Sequence, residues 1–446
     1  MYKLEFTLKQ HTPLIHFQHD QAGATLRATE VKPKLDKFLI TILGEGNFDT
    51  GKTIAKEKNW FVGNGEHLAL DYKIKFTDAR RYEKDVYMAF SSNEDSISQQ
   101  IIQNAPDITK IISNTPNFSD AQYLKKSNKE LDMHRSNLGS IRRGILFKQP
   151  LVNNQIISYK QDLINTIKLN LQEFFLLNNF GYRQSKGFGS FTTTKINDAY
   201  LANDLDFLKR NFVTHRIRMS NLAEAFSTVQ EIHRILKSGI NLRNKYGIQK
   251  KYQKAEIFYE FAYKEVRWEK RYIKKQINNN KIDEKSLLYI DYEPTDFAFN
   301  GDDLFEENTF QDLASNTYPY KYVRALLGLA DHYEFLIDNN GLQDNKVKYF
   351  VSIANDTPDE KHKIERFQSP ILYKIIENNI YLIPKEIPDY LWDKLFQFTY
   401  KLKFSNGSES KEIMMTDKLP VPSKEEFDLK SFLKISLDNI LTNCNI

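Results

Sequence analysis

Between Asn179 and Ser190 the chain reads Asn-Phe-Gly-Tyr-Arg-Gln-Ser-Lys-Gly-Phe-Gly-Ser, placing three glycines and two cations among aromatic residues. Before it, Leu163, Ile164, Ile167, Leu171, Phe174 and Phe175 recur at helical spacing, so residues 160–178 are predicted to form an amphipathic helix that ends near Gly181. After it, the aromatic and β-branched run from Gly187 to Ile196 favours a strand. A glycine-rich turn between helix and strand lets another backbone come close, and its amides can face an anion. With Arg183 and Lys186 supplying charge, a phosphodiester chain fits such a loop. The plainer alternative makes Gly181 a helix cap and Gly187 and Gly189 a bulged strand start.

The same segment resembles the glycine-rich loop of the RAMP superfamily, RNA-binding proteins of CRISPR effector complexes, in its Arg183-Gln-Ser-Lys-Gly-Phe-Gly-Ser190 element. Further pieces follow in the family's order: Thr12-Pro-Leu-Ile15, Leu26-Arg-Ala-Thr-Glu-Val-Lys-Pro-Lys34, and Gly139-Ser-Ile-Arg-Arg-Gly144. Ala325-Leu-Leu-Gly-Leu329 and Glu365-Arg-Phe-Gln-Ser-Pro-Ile371 are similar to parts of the two-domain capping subunit of the type III-B (Cmr) effector complex. Two departures stand out: Pro33 replaces a usual glycine, and His16-Phe-Gln-His19 replaces a Gly-Gly after the first strand. The resemblance implies an α+β chain of tandem ferredoxin-like (RRM-like) domains with a helical insertion. It also implies RNA contacts at Arg27, Lys32, Lys34, Arg142 and Arg143 besides Gly181, Arg183, Lys186, Gly187 and Gly189. The implied partners are CRISPR RNA or target RNA and other effector subunits.

Local patterning divides the chain accordingly. Tyr2, Leu4, Phe6 and Leu8 alternate with polar residues as in a half-buried strand, and Leu68 to Phe76 and Val86 to Phe90 continue the sheet. A polar insertion near 91–137 interrupts a first domain over 1–198. A basic helical region spans 199–282, with Leu222, Phe226, Val229, Ile232 and Leu236 on one face and Gly239 at its end. From Asn241 to Lys281, twelve lysines or arginines against four glutamates are interleaved with tyrosines and Trp268. Cations and planar rings together suit single-stranded RNA, which makes Lys270, Arg271 and Lys274 candidates; the alternative is a helix with its rings in the core. From Ile282 to Asp312, ten acidic residues face one lysine, a block that would repel RNA. A second α+β domain is expected over 283–446, with strands near 346–353, 369–376 and 379–383 and a helix near 391–402.

Other chemistries leave thinner traces. Gly46-Asn-Phe-Asp-Thr-Gly-Lys-Thr53 satisfies a phosphate-binding loop pattern, and Phe38 to Leu43 before it is apolar enough for a strand. Ile54 to Asn59, however, is too short for the helix such a loop needs, because another turn follows at once at Trp60 to Gly65. His16 and His19 are the candidate pair for metal-independent RNA cleavage as base and acid, an activity known elsewhere in the superfamily. Cys444 is the only cysteine, which excludes an intramolecular disulfide and a cysteine-rich zinc site, and with no His-Glu-x-x-His motif either, no metal or other cofactor is expected. The net charge of +5 is too mild to demand a nucleic acid. Without an apolar run of about 18–20 residues or a leader at Met1, a cytoplasmic protein with no membrane partner is expected.

Overall fold

The computed structural model describes residues 1–15, 25–63, 67–89, 110–112, 143–201, 205–216, 222–243, 249–279, 318–329, 332–336, 348–355, 367–377, 379–403 and 409–443. The chain is a mixed α/β protein that divides into two units, Met1–Glu231 with Leu372–Ile383, and Ile232–Ile371 with Pro384–Ile446. The expected insertion near 91–137 lies almost wholly outside the described residues, as does the acidic block.

In the first unit, a five-stranded antiparallel sheet runs in the order Lys73–Lys75, Leu151–Ser158, Tyr2–Gln10, Phe191–Ile196, Ala199–Tyr200. The alternation expected for the first strand holds, with Leu4, Phe6 and Leu8 buried and Lys3, Glu5 and Lys9 exposed. Helices Ala28–Leu43 and Gln161–Leu177 contribute Val31, Leu35, Leu39, Ile167, Leu171 and Phe175 to the same core as these strand residues. All six apolar positions predicted for the second helix are buried. Strands Leu14–Ile15, Arg143–Phe147, Lys84–Ala89 and Lys110–Ile112 form a separate sheet. A further three-stranded sheet joins Val213–Arg216 to the hairpin Ile371–Ile376 and Asn379–Pro384, so sequence from late in the chain completes this unit.

The second unit is built on the ladder His332–Leu336, Lys348–Asn355, Leu395–Lys403, extended by Ile413–Met414 and Leu419–Pro420. Leu395–Lys403 corrects the helix expected near 391–402. Phe396, Phe398, Tyr400 and Leu402 are buried at period two, and this aromatic alternation outweighs the apolar density that suggested a helix. The basic region is likewise only partly helical: Ile240–Arg243 and Gln249–Gln253 pair as a hairpin, followed by helices Glu256–Ala262 and Glu269–Asn279.

The phosphate-loop pattern at 46–53 is also corrected. Phe38 to Leu43 end one helix, and Phe48–Glu57 is a second whose interior holds Gly51, Lys52 and Thr53. Gly51 allows the two helices to touch, since a Cβ there would stand 1.7 Å from the Ile40 carbonyl oxygen. The loop that would cradle phosphates does not form. Among the described residues, no helix is long and apolar enough to cross a membrane.

Candidate nucleic-acid interface

The glycine loop begins where helix Gln161–Leu177 stops. Asn178 turns extended, and its Nδ2 donates to the Phe174 carbonyl at 2.8 Å. Phe180 N donates to Gly189 O at 3.0 Å, and Asn179 bridges Ser190, so the loop is closed at its neck. Phe180 packs among Phe174, Phe175 and Phe191, while Phe188 stacks on Phe226 at 4.1 Å. The rings anchor the loop's two ends and leave Tyr182 and Arg183 between them.

Close backbone approach is realised here, but with the chain itself. Gly189 has φ of +65°, and a Cβ would lie 1.8 Å from Phe180 O; Gly181 has φ of +80°, and a Cβ there would lie 2.5 Å from Ile15 O. The loop amides are taken up by the chain itself, one of them by a carboxylate. Gly181 N donates to Glu30 Oε1 at 2.6 Å, Gly189 N to Pro13 O at 2.9 Å, and Gly187 N to Gln184 O at 3.4 Å. Thr12 Oγ1 donates to Gly187 O at 2.7 Å and accepts from Ser190 N at 2.8 Å. The segments at 12–15, 26–34 and 183–190 that carried the family resemblance therefore meet in space.

Lys34 and Lys32 are committed inward. Lys34 Nζ donates to Asn179 O at 3.1 Å, pairs with Glu30 at 3.3 Å and lies 4.8 Å from the Phe180 ring centroid. Burial lowers its pKa, with Glu30 opposing the shift. Lys32 Nζ holds Asp36 at 2.8 Å and Leu70 O at 2.7 Å and covers the Tyr72 ring at 3.9 Å. Burial raises the Asp36 pKa against the pull of Lys32. Arg27 starts the helix, its carbonyl accepting from Val31 N at 3.0 Å.

Arg183 is different. It adopts φ of +58°, a left-handed conformation that costs an arginine energy, and its guanidinium lies 5.6 Å from the ring of Tyr182, which is 43% exposed. Lys186 is half-buried, 5.8 Å from the Tyr373 ring. Arg143 lies in a strand opposite Met88, but its side chain, with Arg142, His16 and His19, lies outside the described residues. The described histidine nearby, His11, sits 2.8 Å from Thr192 Oγ1, and burial, then Lys374 and Lys9, depress its pKa to about 3. It is neutral at physiological pH.

In the second unit, Lys274 is buried, and Lys270 and Arg271 are half-buried. The rings between them serve the interior: Trp268 and Tyr272 are buried, and Arg267 stacks on Tyr320 at 3.9 Å. The mixture of cations and rings here resolves largely into core packing.

Sequence reasoning missed two residues that hold the loop. Glu30 accepts the Gly181 amide, and Lys374, fully buried, donates to the carbonyls of Phe175 at 2.7 Å, Asn178 at 2.8 Å and Phe191 at 2.9 Å. Asn179 Nδ2 also donates to Tyr373 O at 2.9 Å, and Ser190 Oγ to Ile375 O at 2.7 Å. A lone lysine within Ile-Leu-Tyr-Lys-Ile-Ile was the available signal.

The family model for the Cmr1 N-terminal domain matches residues 1–240, and that for the Cmr1 C-terminal domain matches residues 252–446. The chain belongs to the Cmr1 family. The resemblance to the type III-B Cmr subunit is thereby borne out. No curated protein matches this Cmr1 family member in sequence. Among solved structures, a chain of the type III-B Cmr-beta complex bound to cognate target RNA and AMPPnP, in the presence of ssDNA, is 16% identical. That match covers 56% of this chain and 67% of that one, with a TM-score of 0.24. Cmr-beta bound to cognate target RNA gives 16% identity over 52% of this chain and 61% of that one, TM-score 0.25. Apo Cmr1 from Pyrococcus furiosus gives 14% identity over 52% and 72%, TM-score 0.30.

Proposed function

We propose that this Cmr1 family member is a noncatalytic RNA-contacting subunit of a type III-B CRISPR ribonucleoprotein acting in the cytoplasm, alongside other effector subunits. The observation that carries the reading is Arg183 at φ of +58° on a loop fastened from every side. Nine described non-glycine residues have positive φ, so what singles out Arg183 is its place on the fastened loop beside the exposed Tyr182 ring. Glu30, Lys34, Asn179 and Thr12 supply the fastening, Tyr182 is exposed, and Arg183, half-buried, lies beside the Tyr182 ring. The guanidinium meets a phosphate of guide or target RNA while the Tyr182 ring stacks on a base. Base pairing reads sequence, and the protein holds backbone and shape.

The first unit reads as a ferredoxin-like domain. Taking strands Tyr2–Gln10, Lys73–Lys75, Leu151–Ser158 and Phe191–Ile196 in chain order, with their two long helices, the sheet order is 2-3-1-4. The second unit is read as its diverged tandem partner.

Arg183→Glu in the full chain is expected to weaken single-stranded RNA binding and to make its salt dependence shallower by about 0.7 in log-log slope, the release from one phosphate. Tyr182→Ala should weaken binding with little change in slope. A folded Arg183→Glu protein with wild-type affinity and slope removes the loop from RNA contact.

A further inference from the structure

The five-stranded sheet of the first unit has two faces of opposite character. On one, the register aligns Leu4, Ile156 and Ile74, all within the core shared with the long helices. On the other, Lys3, Ile157 and Lys73 form one cross-strand row and Glu5, Gln155 and Lys75 the next. Thr7 pairs with Lys195, and Lys195 with Tyr200 on the edge strand. Lys3, Lys73 and Lys75 are exposed, Lys195 is half-exposed, and Tyr200 is 84% exposed.

The charge on this face is one-sided. Glu5 is its sole acid among these paired positions and is taken by Lys3 at 2.5 Å. Asp198, in the adjoining turn, reaches Lys195 only at 3.9 Å. Among the described residues, Lys73 and Lys75 have no ion pair. A solvated face needs no aromatic ring, yet Lys195 Nζ lies 5.2 Å from the Tyr200 ring centroid. With strands about 4.8 Å apart, the lysines of the Lys73–Lys75 strand stand about 14 Å across the sheet from Lys195, a span of a few nucleotides.

We propose that this open face is a second nucleic-acid surface, on which single-stranded RNA lies across the strands with phosphates on Lys73, Lys75 and Lys195 and a base on Tyr200. Charge complementarity selects a polyanion, and the exposed ring favours nucleic acid over an acidic peptide, because every base offers a face to stack. The surface uses no residue of the glycine loop.

The test is a salt titration of the full chain with labelled single-stranded polyuridylate. The triple variant Lys73→Gln, Lys75→Gln, Lys195→Gln changes only surface side chains and should melt like the parent. It should lower affinity at least tenfold at low salt and make the slope shallower by about 2, three phosphates at about 0.7 each. Tyr200→Ala should weaken binding by roughly tenfold and leave the slope unchanged. Wild-type affinity and slope in the triple variant overturn the proposal. So does polyglutamate binding that the triple variant loses while polyuridylate binding persists, since the face then serves an acidic protein segment. Arg183→Glu serves as the separating control: loss of binding there but not in the triple variant leaves the loop reading standing alone, and the reverse leaves the sheet standing alone.

Discussion

Replacing Lys374 by methionine is expected to loosen the glycine loop and the end of the helix before it, at a cost of about 3–5 kcal/mol. The side chain keeps its length and loses its ammonium, so the carbonyls of Phe175, Asn178 and Phe191 are left without that donor in a buried site. Each buried carbonyl deprived of its partner costs about 1–3 kcal/mol, and the helix also loses a cation at the negative end of its dipole. Because a chain of two units has no single unfolding free energy, the measurement is native-state hydrogen exchange at the amides of Phe180, Gly189 and Ser190. Protection at those amides should fall by about two orders of magnitude or more, the equivalent of ~3 kcal/mol. Unchanged protection would show that the carbonyls find other donors.

A comparable loss is expected in the second unit from Arg324→Met. Arg324 pairs with Glu269, which has no solvent exposure, and its guanidinium lies 4.1 Å from the Tyr333 ring centroid. Burial opposes the charge on Arg324, but Glu269 prevails and holds its pKa above the usual value. Removing the arginine leaves the buried carboxylate without its hydrogen-bonded partner and with the more distant Lys237 charge beside it, a change that costs about 3–5 kcal/mol. The pair itself is incompletely satisfied, since Glu269 Oε2 and Arg324 Nη2 have no hydrogen-bond partner among the described residues. The double variant Glu269→Leu with Arg324→Met should therefore recover most of the loss. Trp268 sits 5.8 Å from the Arg324 guanidinium, so urea unfolding followed by tryptophan fluorescence reports on the site once Trp60 and Trp392 are replaced by phenylalanine in every variant compared. A double variant as unstable as Arg324→Met would mean the site needs its charges.

What could be read from sequence was set by local period. The first strand and the helix ending at Leu177 each bury a face that repeats every 2 or 3.6 residues, whereas the strands at 371–376 and 379–384 are buried along their length and were legible as short continuous apolar runs. Composition without period left two readings open. The cations and rings of 241–281 looked like an RNA platform, yet Trp268 and Tyr272 are core residues and Lys274 is buried with them. The phosphate-loop pattern was discounted for want of a following helix; a helix does form, Phe48–Glu57, but it begins inside the pattern and Gly51 serves a helix crossing. The glycine loop was located correctly, but what holds it was not legible. Lys374 and Phe175 are 199 positions apart, and no local pattern announces such a pairing. The left-handed Arg183 was hidden for a related reason, because its conformation is imposed by the loop's anchors rather than by its own preference.

The most direct test of the central claim is to tag this chain in its native host, purify it under mild salt, and sequence the RNA and identify the proteins that accompany it. An RNA-contacting effector subunit brings down repeat-derived guide RNA and a fixed set of partner subunits, and Arg183→Glu reduces the RNA recovered per tagged chain. Recovery of the chain without RNA or effector subunits, under conditions where they remain intact in the lysate, would contradict the account.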